Sequence, residues 1–356
     1  MIGTLWRRPG TGTSRRPSNH NAMTQHDHAS PAAPPSISWR PSGCAFCDTL
    51  AAIGTDAAHD HDAPGSMARR RYLRRGLAAL TAAGVGGVSP VWAQETATRE
   101  GVDVGSQSKF AKLVPAEDIE AAAAQQYRQM LQEAARQKAL APDGHPQLVR
   151  LRNISERIIP FSAAWNARAR QWRWEVNLIG SREINAFCMP GGKIAFYYGI
   201  LQTLQLSDDE VAMIMGHEAA HALREHARER LGKNAATGIA ANVASVLLGL
   251  GAAGDSLLRM GGQLLTLRFS REDESEADLV GMELAARSGY NPRAGISLWQ
   301  KMQKASQGSP PSFLSTHPNS ATRIHDIEAS LPKVLPLYER APKPTRRYEA
   351  PAAKRD

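Results

Sequence analysis

His217, Glu218 and His221 are the residues of this chain whose types and spacing could do chemistry together. On a helix, positions four apart share one face with about 6 Å between them, so two imidazoles there can bind one tetrahedral zinc ion. Glu218 sits one residue round from the first imidazole, where its carboxylate reaches water activated by the ion rather than the ion itself. This is the H-E-x-x-H arrangement of zinc hydrolases, and it implies one Zn²⁺ per chain. A chance run of letters is the competing explanation, and the local context weighs against it. Ser207 and Glu210 make a capping box, and Val211, Ile214 and Met215 follow at helical spacing, which predicts a helix from about Asp208.

Two histidines leave a catalytic zinc site one protein ligand short, since three are needed with the fourth position open to water. The acidic run Arg271 to Asp278 is the natural source. If it is helical, Glu276 is in phase with Glu283 and Arg287, a face that reads as solvated. Glu274 is in phase with Ala277, Asp278, Gly281 and Ala285, small residues that permit close packing on another helix. Phase therefore favours Glu274 and leaves Glu272 and Glu276 as alternatives. Asp278, one turn further on, is placed to accept a ring N–H from a ligand histidine.

The elements that must position these groups are mostly helical. A helical pattern runs over residues 107–140 through Phe110, Leu113, Ile119, Tyr127, Met130 and Leu131, and a second carries Leu148, Leu151, Ile154, Ile158 and Ile159 to Pro160. Trp172 to Ile179 alternates as a strand, and Pro190, Gly191 and Gly192 form a turn before the β-prone run Lys193 to Tyr198. The expected class is α+β, mostly helical, with a small antiparallel sheet beside the H-E-x-x-H helix. An extended peptide could pair with the strand formed by Pro190, Gly191, Gly192, Lys193, Ile194, Ala195 and Phe196, although an ordinary hairpin edge fits the spacing equally. Downstream, Gly289 to Pro292 ends the acidic helix and Ala294 to Gln303 begins another. Residues 308–319 read as a loop in which His317 would ordinarily be solvated, 320–331 as a short helix carrying Arg323, and 332–356 as a Pro- and Lys-rich tail.

Residues 1–66, rich in Pro, Ser, Gly, Ala and His, read as disordered or as an extension ahead of the true start. Met67 opens a basic segment, a weakly apolar stretch to Val88 and Val91-Trp92-Ala93, a secretory signal over 67–93 whose Arg69 to Arg74 also fits a twin-arginine type. The location it predicts is the periplasm. The following organisation is then a helical segment over 94–146 and a catalytic domain over 147–331. Without residues 1–93 the net charge falls from +9 to +4, and no basic run with interleaved aromatics remains, which excludes nucleic acid as the partner. Cys44 and Cys47, with His20, His26, His28, His59 and His61, fall in the leader, and only Cys188 lies beyond it, so no internal disulfide is expected. Residues 235–254 carry no charge, but a single membrane crossing there would part His217 from Glu274. The stretch reads as a buried or interfacial helical excursion, with peripheral membrane contact through 235–254 the lesser alternative.

The chain resembles the gluzincin metallopeptidase family that includes the HtpX heat-shock protease and the CAAX prenyl protease. The likeness covers about Gln147 to Leu331. It rests on Asn185-Ala186-Phe187 with Pro190-Gly191-Gly192, on His217 to His221 with His226 after it, on Glu274 to Asp278, and on Thr316-His317-Pro318 with Arg323. The resemblance implies Glu274 as third ligand and substrate binding along the Pro190 to Tyr198 edge. It also implies that His317 and Arg323 approach the site as latch or oxyanion groups, since in some relatives a loop histidine closes the open zinc position. It departs from membrane-embedded members in having no clear transmembrane helices, so prenyl-protein processing is not implied. The expected function is zinc-dependent endoproteolysis of unfolded or misassembled envelope proteins, with Glu218 as general base. A latched, zinc-containing chaperone or assembly factor is the alternative.

Overall fold

The computed structural model describes residues 99–237, 261–307, 310–318 and 322–353. The leader over 1–66 and 67–93, the Cys44 and Cys47 cluster, and all but the first residues of the uncharged 235–254 stretch lie outside the described residues. Among those described, no helix is long and apolar enough to cross a membrane.

The helical pattern of residues 107–140 divides at Pro115. Lys109–Leu113 is a short 3-10 turn that leaves Phe110 and Leu113 exposed, and α1 is Ala116–Arg136. Helix α2, Pro146–Ile158, begins with His145 accepting from the Gln147 N–H and with Pro146 in the first turn, where a missing donor costs nothing. It buries Leu148, Leu151, Ile154 and Ile158 along one face.

Three strands follow: β1 (Glu175–Ile179), β2 (Ala186–Met189) and β3 (Lys193–Tyr197), in the order β1-β3-β2. β2 and β3 pair antiparallel through the turn at Pro190 to Gly192, where Gly191 and Gly192 have φ of 83° and 75°. β1 pairs with β3 in parallel, so the sheet is mixed rather than wholly antiparallel. The order also corrects the expected substrate edge. Lys193, Ile194, Ala195 and Phe196 belong to the central strand, whose backbone groups are taken on both sides. The outer side of β1 is bridged by Leu140, which leaves β2 with the open edge among the described strands.

β3 leads directly into α3 (Tyr198–Leu204) and then α4 (Asp208–Leu223), the H-E-x-x-H helix. At its start the Ser207 hydroxyl accepts from the Glu210 N–H at 3.3 Å and the Glu210 carboxylate accepts from the Ser207 N–H at 2.8 Å. After α5 (His226–Ala236) comes α6 (Arg271–Arg287), which opens with a second capping box made by Ser270 and Asp273. Helices α4 and α6 cross where Gly216 meets Gly281. A Cβ on Gly281 would lie 2.5 Å from the His217 nitrogen, and one on Gly216 would lie 2.6 Å from the Gly281 oxygen. Gly281→Ala therefore has to part the two helices that carry the site, with an expected loss of about 2–3 kcal/mol in urea unfolding and weaker metal binding. Unchanged unfolding in that variant would show that the helices do not need this contact.

Helix α7 is Ala294–Ala305, α8 is Ser312–Thr316 and α9 is Arg323–Arg340. α9 does not stop at Leu331. Ile327, Leu331, Val334 and Leu337 continue one buried stripe through Pro332 and Pro336, so packing outweighs two helix-breaking residues. The segment after it docks on the first turn of α4, with the Tyr348 N–H donating to Asp208 at 2.9 Å and Arg347 pairing with Asp209 at 2.8 Å. Glu283, expected on a solvated face, is fully buried. It accepts from Arg287 at 2.8 Å, from the Val102 N–H at 2.9 Å and from Arg99.

Candidate metal centre

α4 presents the imidazoles of His217 and His221 with their Nε2 atoms 3.1 Å apart. Across the α4–α6 crossing, the two Glu274 carboxylate oxygens stand 3.5 Å from His217 Nε2 and 3.4 Å from His221 Nε2. From α8, His317 brings Nδ1 to 3.0 Å from Glu274 Oε1 and 3.3 Å from His217 Nε2. All four side chains are buried. A tetrahedron with the arms of a zinc–nitrogen or zinc–oxygen bond, about 2.1 Å, has edges of roughly 3.4 Å. Three imidazoles and one carboxylate converging at those separations are a donor set that fits zinc. Glu272 is exposed, and Glu276 turns away to pair with Arg224, so neither alternative joins the cluster.

The cluster is held from behind. His217 has its Nε2 toward the other donors, so its Nδ1–H donates to Asp278 at 3.0 Å, an assignment that follows from the donor pattern. Arg323 donates to Asp278 at 2.6 and 2.8 Å and to Glu274 at 2.6 Å, and its guanidinium stacks 3.6 Å over the Trp299 ring. These donors of Arg323 are engaged inside the core, on the carboxylates of Glu274 and Asp278. Burial opposes ionisation of Glu274, yet His317 and the other imidazoles around it hold its carboxyl well below the usual carboxylate range. Asp278 is likewise held low against its burial, chiefly by Arg323.

Glu218 has a different setting. Its carboxylate is buried, and Oε1 has no hydrogen-bond partner and lies 3.5 Å from His317 Nε2. Burial raises its pKa, with His317 and His217 pulling the other way. A buried carboxylate beside the donor cluster, raised in pKa and short of a partner, has the properties of a general base. β2 adjoins it, since the Cys188 backbone hydrogen-bonds this carboxylate.

Aromatic side chains that sequence reasoning missed complete the wall. Phe269 stacks on His221 with centroids 3.9 Å apart, and Phe313 on His317 at 4.4 Å. Phe313 and His317 are four apart, a signal that was legible once α8 was allowed to be helical. Trp299 carries no local signal, because its partner Arg323 comes from another helix.

The model of peptidase family M48 matches residues 119–331. The chain belongs to that family. M48 peptidases are zinc-dependent, in keeping with the donor set. The mitochondrial metalloendopeptidase OMA1 of Schizosaccharomyces pombe is 34% identical over 197 residues, 54% of this chain and 56% of that protein. Its namesake in Saccharomyces cerevisiae is 30% identical over 217 residues, 58% of this chain and 62% of that protein. Metalloprotease LoiP of Escherichia coli is 30% identical over 151 residues, 41% of this chain and 58% of that protein. The chain thus spans little more than half the length of these curated relatives.

These matches overturn the expected periplasmic location. Relatives in yeasts, a plant and mammals are mitochondrial by name. The expectation rested on residues 67–93, whose five arginines and lack of acidic residues also suit an organelle transit peptide, so that composition does not select a compartment.

Proposed function

We propose that this chain is a zinc-dependent endopeptidase acting on unfolded or misassembled proteins. The observation that carries the reading is the buried cluster of His217, His221, Glu274 and His317 with the Glu218 carboxylate beside it, whose Oε1 has no hydrogen-bond partner. His217, His221 and Glu274 would hold the ion, which when bound supplies Lewis acidity toward the scissile carbonyl and acidifies water. Glu218 takes the proton of the attacking water and returns it to the leaving amine. Asp278 and Arg323 fix His217 and Glu274 in place. The open edge of β2, Ala186–Met189, would pair with an extended substrate main chain, a requirement that favours unfolded over folded proteins. Internal cleavage of reduced casein, abolished by a chelator and restored by zinc, is the expected result. Casein left intact by the zinc-loaded chain would count against the reading.

A second reading rests on His317. His317 Nδ1 converges with the other three donors, where it would take the position that water needs, so the ring would act as a latch. His317→Ala is then expected to raise casein cleavage about threefold or more, as a freed zinc position requires. If wild type and His317→Ala both bind unfolded casein and neither cuts it, the zinc-containing chaperone or assembly factor is the better description.

A further inference from the structure

His217 has Asp278 behind it, and the structure gives His221 a support of its own. Helix α4 ends at Leu223, and Glu225 adopts the left-handed conformation, φ 61° and ψ 31°, before α5 begins at His226. In an unbroken helix a residue five further on points about 140° away round the axis. The break at Glu225 instead turns His226 back, and its Nδ1 lies 2.9 Å from His221 Nδ1. His221 Nε2 faces His217 and Glu274 and must keep its lone pair there, so its Nδ1 carries the proton and His226 Nδ1 accepts it. His226 then carries its own proton on Nε2. That atom is buried without a hydrogen-bond partner, and the Glu276 carboxylate stands 3.6 Å from it. Glu276 is held in turn by Arg224, which also donates to the Gly105 carbonyl at 3.0 Å. Phe269 stacks on His221, and both imidazoles of the pair are buried.

We propose that His226, with Glu276 behind it, is a positioning residue that fixes the tautomer and ring orientation of His221 for zinc. The proposal rests on His221 being a zinc ligand, so the experiment must separate the two claims. Zinc affinity is measured on the full chain by competition with a chelating dye, alongside the melting temperature with and without zinc. His226→Phe fills the space without an acceptor and is expected to weaken zinc binding about 10- to 100-fold, the usual effect of losing such a partner. His226→Asn keeps an acceptor oxygen near Nδ1 and is expected to stay within about threefold of wild type. The zinc-free melting temperatures should be alike, while the rise produced by zinc shrinks in His226→Phe alone.

Equal zinc affinity in wild type and His226→Phe would overturn the relay and leave the metal site standing. Equal losses in His226→Phe and His226→Asn, with matching falls in the zinc-free melting temperature, would reduce His226 to packing and overturn it as well. Should His226→Phe not fold, Glu276→Ala decides, and unchanged zinc affinity there overturns the proposal. A wild-type chain that binds no zinc sinks the metal reading itself, and the relay with it.

Discussion

Glu218→Gln is expected to lower casein turnover about 10³-fold while the chain keeps its zinc, within the range for removing a general base. The substitution preserves size and removes only the ability to take a proton. Glu218 is not among the four converging donors, so metal content should be unaffected. Its Oε1 accepts no hydrogen bond, so the folded state loses no partner when the oxygen becomes an amide. A thousandfold fall corresponds to about 4 kcal/mol of transition-state stabilisation at 1.36 kcal/mol per tenfold. Because the expected effect is on kcat, KM for casein should move little. Wild-type turnover in zinc-loaded Glu218→Gln would remove Glu218 from the mechanism.

Arg323→Met is expected to cost about 3–5 kcal/mol in urea unfolding of the zinc-free chain, the cost of stranding buried charges. Arg323 is 1% exposed and is the cation shared by Glu274 and Asp278, which are also buried. Met replaces much of the stem over Trp299 but leaves two carboxylates facing each other without a counter-charge. Proteins of this size have only about 5–15 kcal/mol to lose, so the variant should sit near the edge of folding. Zinc should recover part of the loss by neutralising Glu274. Arg323→Lys should recover less than half, because an ammonium cannot reproduce three directed bonds from one planar fork. A loss below about 1 kcal/mol, the size of an exposed pair, would mean that Arg323 is not the electrostatic keystone of the site.

Local rules made much of this chain legible. The capping box at Ser207 and the i,i+4 histidines depend only on residues a few positions apart, and helix α4 starts where they place it. The placement of Glu274 depended on one further step, the recognition that Ala277, Gly281 and Ala285 leave room for a second helix, and Gly281 does meet Gly216. What was not legible depends on residues far apart. Strand order is one case: nothing in Lys193 to Tyr197 says that β1 will pair on its far side. The charged residues are another. Glu283 and Glu276 read as solvated because their partners, Arg99 and Arg224, lie far off in sequence, and Arg323 could not be matched to its two carboxylates for the same reason. Pro332 and Pro336 suggested an end to helix that the stripe from Ile327 to Leu337 overrode.

Metal analysis of the purified chain beside Glu274→Gln is the most direct test of the account, because Glu274 is the donor that α6 brings to the two histidines of α4. About one zinc per chain is expected in wild type, and at the same free zinc the variant should retain less than a tenth of it, as the loss of one of three anchoring ligands requires. A Glu274→Gln chain that still holds a full equivalent of zinc at wild-type affinity would show that the ion does not bind where these residues converge.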